Sequence, residues 1–367
     1  MKSASTWSRA RPARAAAALI AWLVLGCDDG ASADRAEKRA EKSMPLTLSA
    51  AGATFPYPVY ARWFSTYGES AGVRITYRSV GSDSGLRLVR DRTVDLGAVD
   101  EPLGARTERD GADDGLVAIP TVVGAVAVAY NLPSLTAPLR VDGSWLADVF
   151  LGRVRQWDTP RLRALNPGVA LPSIDIQPGY RHDRSGTTYV ASRFLAAASP
   201  RWRSDAAGTA RDTGLAGTGS RGNEGVAGFV KQTVGAIAFV ELTYAMQQRI
   251  PVAAVRNASG RFIRPTVAST RAAADSALSG SSDDGALESL LVNAPGPDAY
   301  PIAALTYLLV AEQQPDARRA SAIAAFLRWT LRSGSADALA MQYAPVPASL
   351  HRRIEARIAR ISAPVQP

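Results

Sequence analysis

Apolar positions along the chain fall into short runs that alternate with wider, helically spaced patterns. Leu46 to Ala50 reads as a strand; Val59, Tyr60, Trp63, Phe64 and Tyr67 then recur at helical spacing and mark one buried face. Arg74 to Ser79 alternates as a strand, Leu86 to Arg90 is helical, and Asp95 to Val99 is extended again. This strand–helix order predicts an α/β fold, a sheet with helices on its faces. Val122 to Asn131 is almost continuously apolar and reads as a long buried strand. Helices follow around Trp145 to Leu151 and Thr159 to Leu165, then a strand over Ile174 to Gln177, a buried strand over Gly235 to Val240 and a helix over Glu241 to Gln248. Ala258 to Pro297 is rich in Ser, Gly, Ala and Asp and predicts only helix and loop. Ile302 to Val310 returns to an apolar run, ahead of helices over Arg319 to Arg332 and Ala336 to Tyr343 and an amphipathic helix marked by Ile354, Ile358 and Ile361.

The first 45 residues do not share this pattern. Lys2, Arg9, Arg11 and Arg14 precede a short apolar run, Ala15 to Gly26, too short for a permanent bilayer span, so residues 1–26 read as an export signal. The run ends in Val24-Leu25-Gly26-Cys27, which resembles the lipobox of bacterial lipoproteins, with Leu25 bulkier than usual. That resemblance implies that Cys27, the only cysteine, carries a lipid that anchors the exported protein to the membrane. The alternative is a soluble secreted protein from which Cys27 is cut away. Residues 27–45 are charged and Ala-rich with few large apolar side chains, a tether rather than a core.

Composition narrows the function little further. The formal charge of +9 includes four basic and no acidic groups ahead of Cys27, so the remainder carries 42 − 4 = 38 basic against 33 acidic groups, a formal +5. No basic run with interleaved aromatics supports nucleic-acid binding. A modest positive excess suits attraction of small anions.

The candidate chemistry sits in turns between strands and helices. Arg181 to Thr188 reads R-H-D-R-S-G-T-T, opening a helix over Tyr189, Val190 and Phe194. The first-turn N–H groups of such a helix have no internal partner and point outward with the positive end of the dipole, which makes an anion seat. Arg181 adds a planar fork of donors, and Asp183 can hold its guanidinium in place. An ordinary capped helix beside a salt bridge is the plainer reading. Gly52-Ala53-Thr54-Phe55-Pro56 and Gly81-Ser82-Asp83-Ser84-Gly85 carry the same chemistry after the first and second strands. In an open α/β sheet all three turns lie at the carboxyl ends of strands, where ligands bind. Asp100, past the third strand, faces the same point or caps its own turn. A carboxylate among donors admits an anion that still carries a proton, as phosphate does near neutral pH, and rejects sulfate, which does not.

These segments resemble the phosphate-binding proteins that deliver phosphate to high-affinity ABC importers. The motifs are A-G-A-T-F-P-Y-P-V-Y at Ala51 to Tyr60, V-G-S at Val80 to Ser82, V-D-L-G-A-V-D at Val94 to Asp100 and R-H-D-R-S-G-T at Arg181 to Thr187. G-N-E-G-V-A-G-F-V at Gly222 to Val230 and G-A-I-A-F-V-E at Gly235 to Glu241 join them. The resemblance implies a two-lobed periplasmic-binding-protein fold, with residues 46–122 plus 299–367 as lobe 1 and 123–298 as lobe 2, closing on a hinge over the ligand. It implies inorganic phosphate held by the Thr54 hydroxyl, the Phe55 amide, Ser82, Asp100, Arg181, Ser185, the Gly186 amide and Thr187, with Asp183 orienting Arg181. It also implies an ABC permease and ATPase complex as partner, a monomer, and no cofactor, metal or catalytic residue. Val99 departs from the small hydroxyl residue common in the family. Asp83 and Arg184 put opposite charges where small residues are common; they either meet across the cleft or point into solvent.

Competing functions have less support. His182 with Asp183 and a nearby serine is conceivable as a hydrolytic set, yet no G-x-S-x-G elbow supplies a nucleophile, and Walker A, metal-ligand and dinucleotide motifs are missing. A binder of sulfate or molybdate is the nearer rival, and Asp100 separates the two. A surface protein that has kept the fold is a third reading. Trp63, Trp145, Trp157, Trp202 and Trp329 read as packing, and Glu224 as a solvated loop charge.

Overall fold

A computed structural model describes residues 46–101, 115–205, 215–278 and 291–363. The expected export signal, Cys27 and the tether lie outside these residues. So do part of the Ala258 to Pro297 segment and the last four residues.

The chain adopts the expected α/β arrangement. β1 (Leu46–Gly52) and β2 (Val73–Ser79) run parallel and flank the Tyr57–Ala71 helix in sequence; the Ser82–Arg90 helix leads to β3 (Leu96–Val99), also parallel to β1. Val59, Tyr60, Trp63, Phe64 and Tyr67 are the buried stripe of the first helix, as their spacing requires. β4 (Leu116–Tyr130) is longer than the apolar run suggested, and all of its residues are buried. β5 (Arg140–Val141), β6 (Gln177–Arg181), β7 (Thr218–Ser220), β8 (Ala236–Glu241), β9 (Ala254–Arg256) and β10 (Phe262–Ile263) follow. β11 (Ala303–Ala311) and β12 (Ala344–Pro345) complete the strands among the described residues.

One sheet carries the order β2-β1-β3-β11-β4-β8-β6-β7, with β12 also on β4; β10-β9-β5 form a second, small sheet. β4 is the common rail. It pairs antiparallel with β11 over Leu116–Ala125 and then with β8 over Val126–Tyr130, so its partner changes partway along one strand. Its valines and alanines, buried throughout, suit a strand covered on both faces. The ladder to β11 slips at Thr306, where Thr121 is the extra residue on β4.

β6 differs from expectation. The strand is Gln177–Arg181, whereas Ile174 to Ile176 forms irregular pairings, among them Ile176 N–H to Arg155 O. Pro178 and Gly179 give this strand poor local propensity, but tertiary packing overrides it. β7 pairs only from Gly179 onward, so the missing N–H of Pro178 costs no bond on that side, and Gly179 leaves room for the Phe229 ring. Gly52 shows the same economy at the end of β1. Its φ is 143°, and a Cβ there would meet Ala98 O at 2.2 Å, so no larger residue fits. Trp63, Trp145, Trp157 and Trp202 are buried and Trp329 packs against the core, as read.

Candidate functional site

Four helices begin at one place. They start at Tyr57 after the Gly52–Pro56 turn, at Ser82 after β2, at Gly186 after β6 and at Gly222 after β7. Each points the positive end of its dipole there, and all but the first, which opens on Pro56-Tyr57-Pro58, add first-turn N–H groups. Thr54, Phe55, Ser82, Asp100, Arg181, Ser185, Gly186 and Thr187 are all buried there.

Their contacts form two hydrogen-bonded groups that meet at the adjacent residues Gly186 and Thr187. Arg181 presents Nε and Nη2 to the two oxygens of Asp183 at 2.6 and 2.5 Å, a bidentate pair, and its Nη1 donates to Thr54 Oγ1 at 3.0 Å. The Asn223 side chain donates to Thr54 Oγ1 at 2.8 Å and to Thr187 Oγ1 at 3.3 Å. With donors from Arg181 and Asn223 on its oxygen, Thr54 keeps its own O–H proton for an acceptor. Ser82 Oγ accepts the Gly186 N–H at 3.3 Å and donates to Asp100 Oδ2 at 3.4 Å. Ser185 caps its own helix by accepting the Thr188 N–H, as the plain reading had it, and that bond leaves the Ser185 proton available as well.

Asp100 lies in this ring of donors. The Thr306 hydroxyl lies 3.0 Å from its Oδ1 and 3.2 Å from the Val99 carbonyl and shares one proton between these two acceptors, so β11 supplies the hydroxyl that the Val99 side chain cannot. Burial pushes the Asp100 carboxyl up to about 7, against the pull of the Thr306 hydroxyl and the Arg181 charge. Asp183 goes the other way. Burial opposes its charge, but the Arg181 guanidinium and the Gly222 N–H outweigh that and hold it below the usual carboxylate range.

Two close approaches join the halves of the site. A Cβ on Gly186 would meet Asp100 Cβ at 2.5 Å and its Oδ2 at 2.6 Å. Arg184 Nη1 lies 3.2 Å from Asp83 Oδ2, so these charges meet rather than point apart. Arg184 is exposed and Asp83 partly so, which limits the pair to the order of 0.2–1 kcal/mol and makes it fade with salt.

The structure thus places Thr54, Phe55, Ser82, Asp100, Arg181, Asp183, Ser185, Gly186 and Thr187 near one another, while Cys27 lies outside the described residues. His182 is exposed, its backbone N–H on Ser220 O, and Glu224 is exposed at the start of the fourth helix. Asn223 was missed, although the strand-to-helix turn Ser220-Arg221-Gly222 repeats the pattern of the other three. Thr306, Tyr77, Tyr244 and Tyr343 were missed too; each reaches the cluster from a distant segment, and no local pattern marks them. Among the described residues no three His, Cys, Asp or Glu side chains are grouped to hold a metal ion, and no helix is long and apolar enough to cross a membrane.

A family model described as a PBP superfamily domain matches residues 31–333. The chain is 35% identical over 318 residues to the phosphate-binding protein PstS of Xylella fastidiosa, covering 86% of each chain. It is 33% identical over 312 residues to PstS of Pasteurella multocida, covering 85% of this chain and 89% of that one. Among solved structures, the high-affinity periplasmic phosphate-binding protein PfluDING, determined with phosphate bound, superposes with a TM-score of 0.64 at 22% identity. That superposition covers 85% of this chain and 93% of the other. The fold is therefore the two-lobed periplasmic-binding-protein fold. The chain belongs to the PBP superfamily and, within it, to the PstS family of phosphate-binding proteins.

Proposed function

We propose that this protein is an extracytoplasmic solute-binding protein that captures inorganic phosphate and delivers it to an ABC importer. It is a binding protein and not an enzyme, in keeping with its family. Residues 46–122 with 299–367 form one lobe and 123–298 the other, and they close on a hinge in which β4 is one crossing. Phosphate takes the Thr54 and Ser82 hydroxyls, the Phe55 and Gly186 amides, Ser185, Thr187 and the Arg181 fork, with Asp183 holding that fork. A lipid on Cys27 anchors the protein, which acts as a monomer. Sequence motifs and the family's shared name support this reading.

The observation that carries phosphate over sulfate is Asp100, a buried acceptor among donors. Phosphate keeps a proton to donate to it across the neutral range. Sulfate has none, so it is accepted only if Asp100 itself takes up a proton. With the carboxyl near 7, that proton is increasingly costly above neutrality and already present below it. Sulfate binding to the wild-type protein should therefore strengthen by up to about tenfold per unit as pH falls towards 7, then level off. In Asp100→Asn the amide can donate at any pH. Competition titrations should show sulfate binding that no longer varies with pH, and a phosphate preference reduced about 10- to 100-fold above neutrality. An unchanged preference in that variant would remove the proton-filter argument.

A further inference from the structure

Three tyrosine hydroxyls from three separate elements close on three successive carbonyls of the Gly52–Pro56 turn. Tyr77 of β2 donates to Ala53 O at 2.6 Å, Tyr244 of the Leu242–Gln247 helix to Thr54 O at 2.7 Å, and Tyr343, beyond the Gly334–Ala340 helix, to Phe55 O at 2.7 Å. Burial pushes the Tyr244 and Tyr343 phenols well above their usual range, so both stay protonated donors at any working pH.

The three bonds are not equivalent. A trans peptide unit carries its C=O and the following N–H on opposite sides, so fixing one oxygen fixes the direction of one N–H. Holding Thr54 O sets the Phe55 N–H. Holding Phe55 O sets none, because residue 56 is proline. Thr54 O also accepts the Tyr57 N–H, but at 3.3 Å, the longer of its two bonds. Tyr244 follows β8, whereas Thr54 follows β1, so this bond spans the same gap as the Arg181 and Asn223 bonds to Thr54.

We infer that Tyr244 is a positioning residue of the anion site: its hydroxyl, reaching in from the far side of the cleft, turns the Thr54 carbonyl away so that the Phe55 N–H faces the bound oxyanion. The inference rests on the phosphate reading above. It makes the aim of a donor on one side depend on the placement of the other side, so the seat is complete only in the closed arrangement. A buried tyrosine that merely satisfied its own hydroxyl on a convenient carbonyl would add stability and nothing more. Tyr343 is such a case, packed edge-on against the Phe55 ring at 6.3 Å and holding a carbonyl with no N–H behind it.

The test is amide NMR of the full protein, titrated with inorganic phosphate, in wild-type, Tyr244→Phe and Tyr343→Phe forms. Tyr244→Phe removes one oxygen and leaves Thr54 O bonded to the Tyr57 N–H, so the variant folds. In the wild-type protein the Phe55 and Gly186 amide protons should both move downfield on saturation. In Tyr244→Phe the Phe55 shift should fall by half or more while the Gly186 shift persists, with phosphate affinity roughly tenfold weaker. Tyr343→Phe should lower the unfolding temperature and keep both shifts. A full Phe55 shift in Tyr244→Phe, or an equal loss in both variants, would overturn the inference. No phosphate-induced shift at any amide of the wild-type protein would overturn the phosphate reading, and this inference with it.

Discussion

Arg181→Ala should weaken phosphate binding by roughly 30- to 5,000-fold, the largest loss from any single side chain in the site. Truncating one member of a buried, hydrogen-bonded charge pair costs about 2–5 kcal/mol in binding, and each 1.4 kcal/mol is tenfold. Arg181 is buried, holds Thr54 Oγ1 and is matched bidentately by Asp183. Without it, the positive ends of four helix dipoles remain, but no formal cation from this cluster does. Asp183 is then left with the Gly222 N–H alone among these bonds, so the ligand-free protein should also lose stability. Arg181→Lys keeps the charge and loses the fork, and should fall between the two. Calorimetric titration with phosphate reads the affinity, and a loss below threefold in the alanine variant would deny Arg181 its role.

Gly186→Ala should come next, for a steric reason rather than an electrostatic one. The Gly186 backbone is not in the left-handed region, and alanine is a good residue for the first turn of a helix, so the helix itself should tolerate the change. The added methyl has nowhere to go: Asp100 Cβ stands at 2.5 Å and its Oδ2 at 2.6 Å. Overpacking of this kind costs about 1–3 kcal/mol, here charged to the closed arrangement alone. Apparent affinity falls with the fraction of closed protein, so phosphate should bind about 5- to 150-fold more weakly. The expected pattern is a normal unfolding temperature without ligand, together with a smaller stabilisation by phosphate. Binding within threefold of wild type would show that this contact does not belong to the liganded state.

The front of the chain was legible because its pattern is local. β1, the first helix, β2, the second helix and β3 each follow from the periodicity of their own residues, and the turns between them announce their chemistry through Gly, Ser and Thr. The long strand β4 was visible as an apolar run, but not the change of partner along it, which depends on segments more than a hundred residues away. β6 was misplaced because Pro178 and Gly179 hide a strand that packing enforces. The candidate site residues were read through turn chemistry and family resemblance. Their supports were not: Asn223 sits 169 residues from the Thr54 hydroxyl it holds, and Thr306 sits 206 residues from Asp100. The meeting of Asp83 and Arg184 could be posed from the sequence but not decided, since two exposed charges carry no pattern that says where they point.

Selective seating of phosphate over sulfate is the proposed property of this site. Its most direct test is the thermal unfolding of the ligand-stripped protein at a pH above neutrality, with phosphate, arsenate and sulfate added in turn at matched ionic strength. A ligand that binds only the native state stabilises it by about 2.7 kcal/mol at a hundredfold excess over its dissociation constant. A rise in unfolding temperature is expected with phosphate and with arsenate, and none with sulfate at the same concentration. An equal rise with sulfate, or no rise with phosphate, would contradict it.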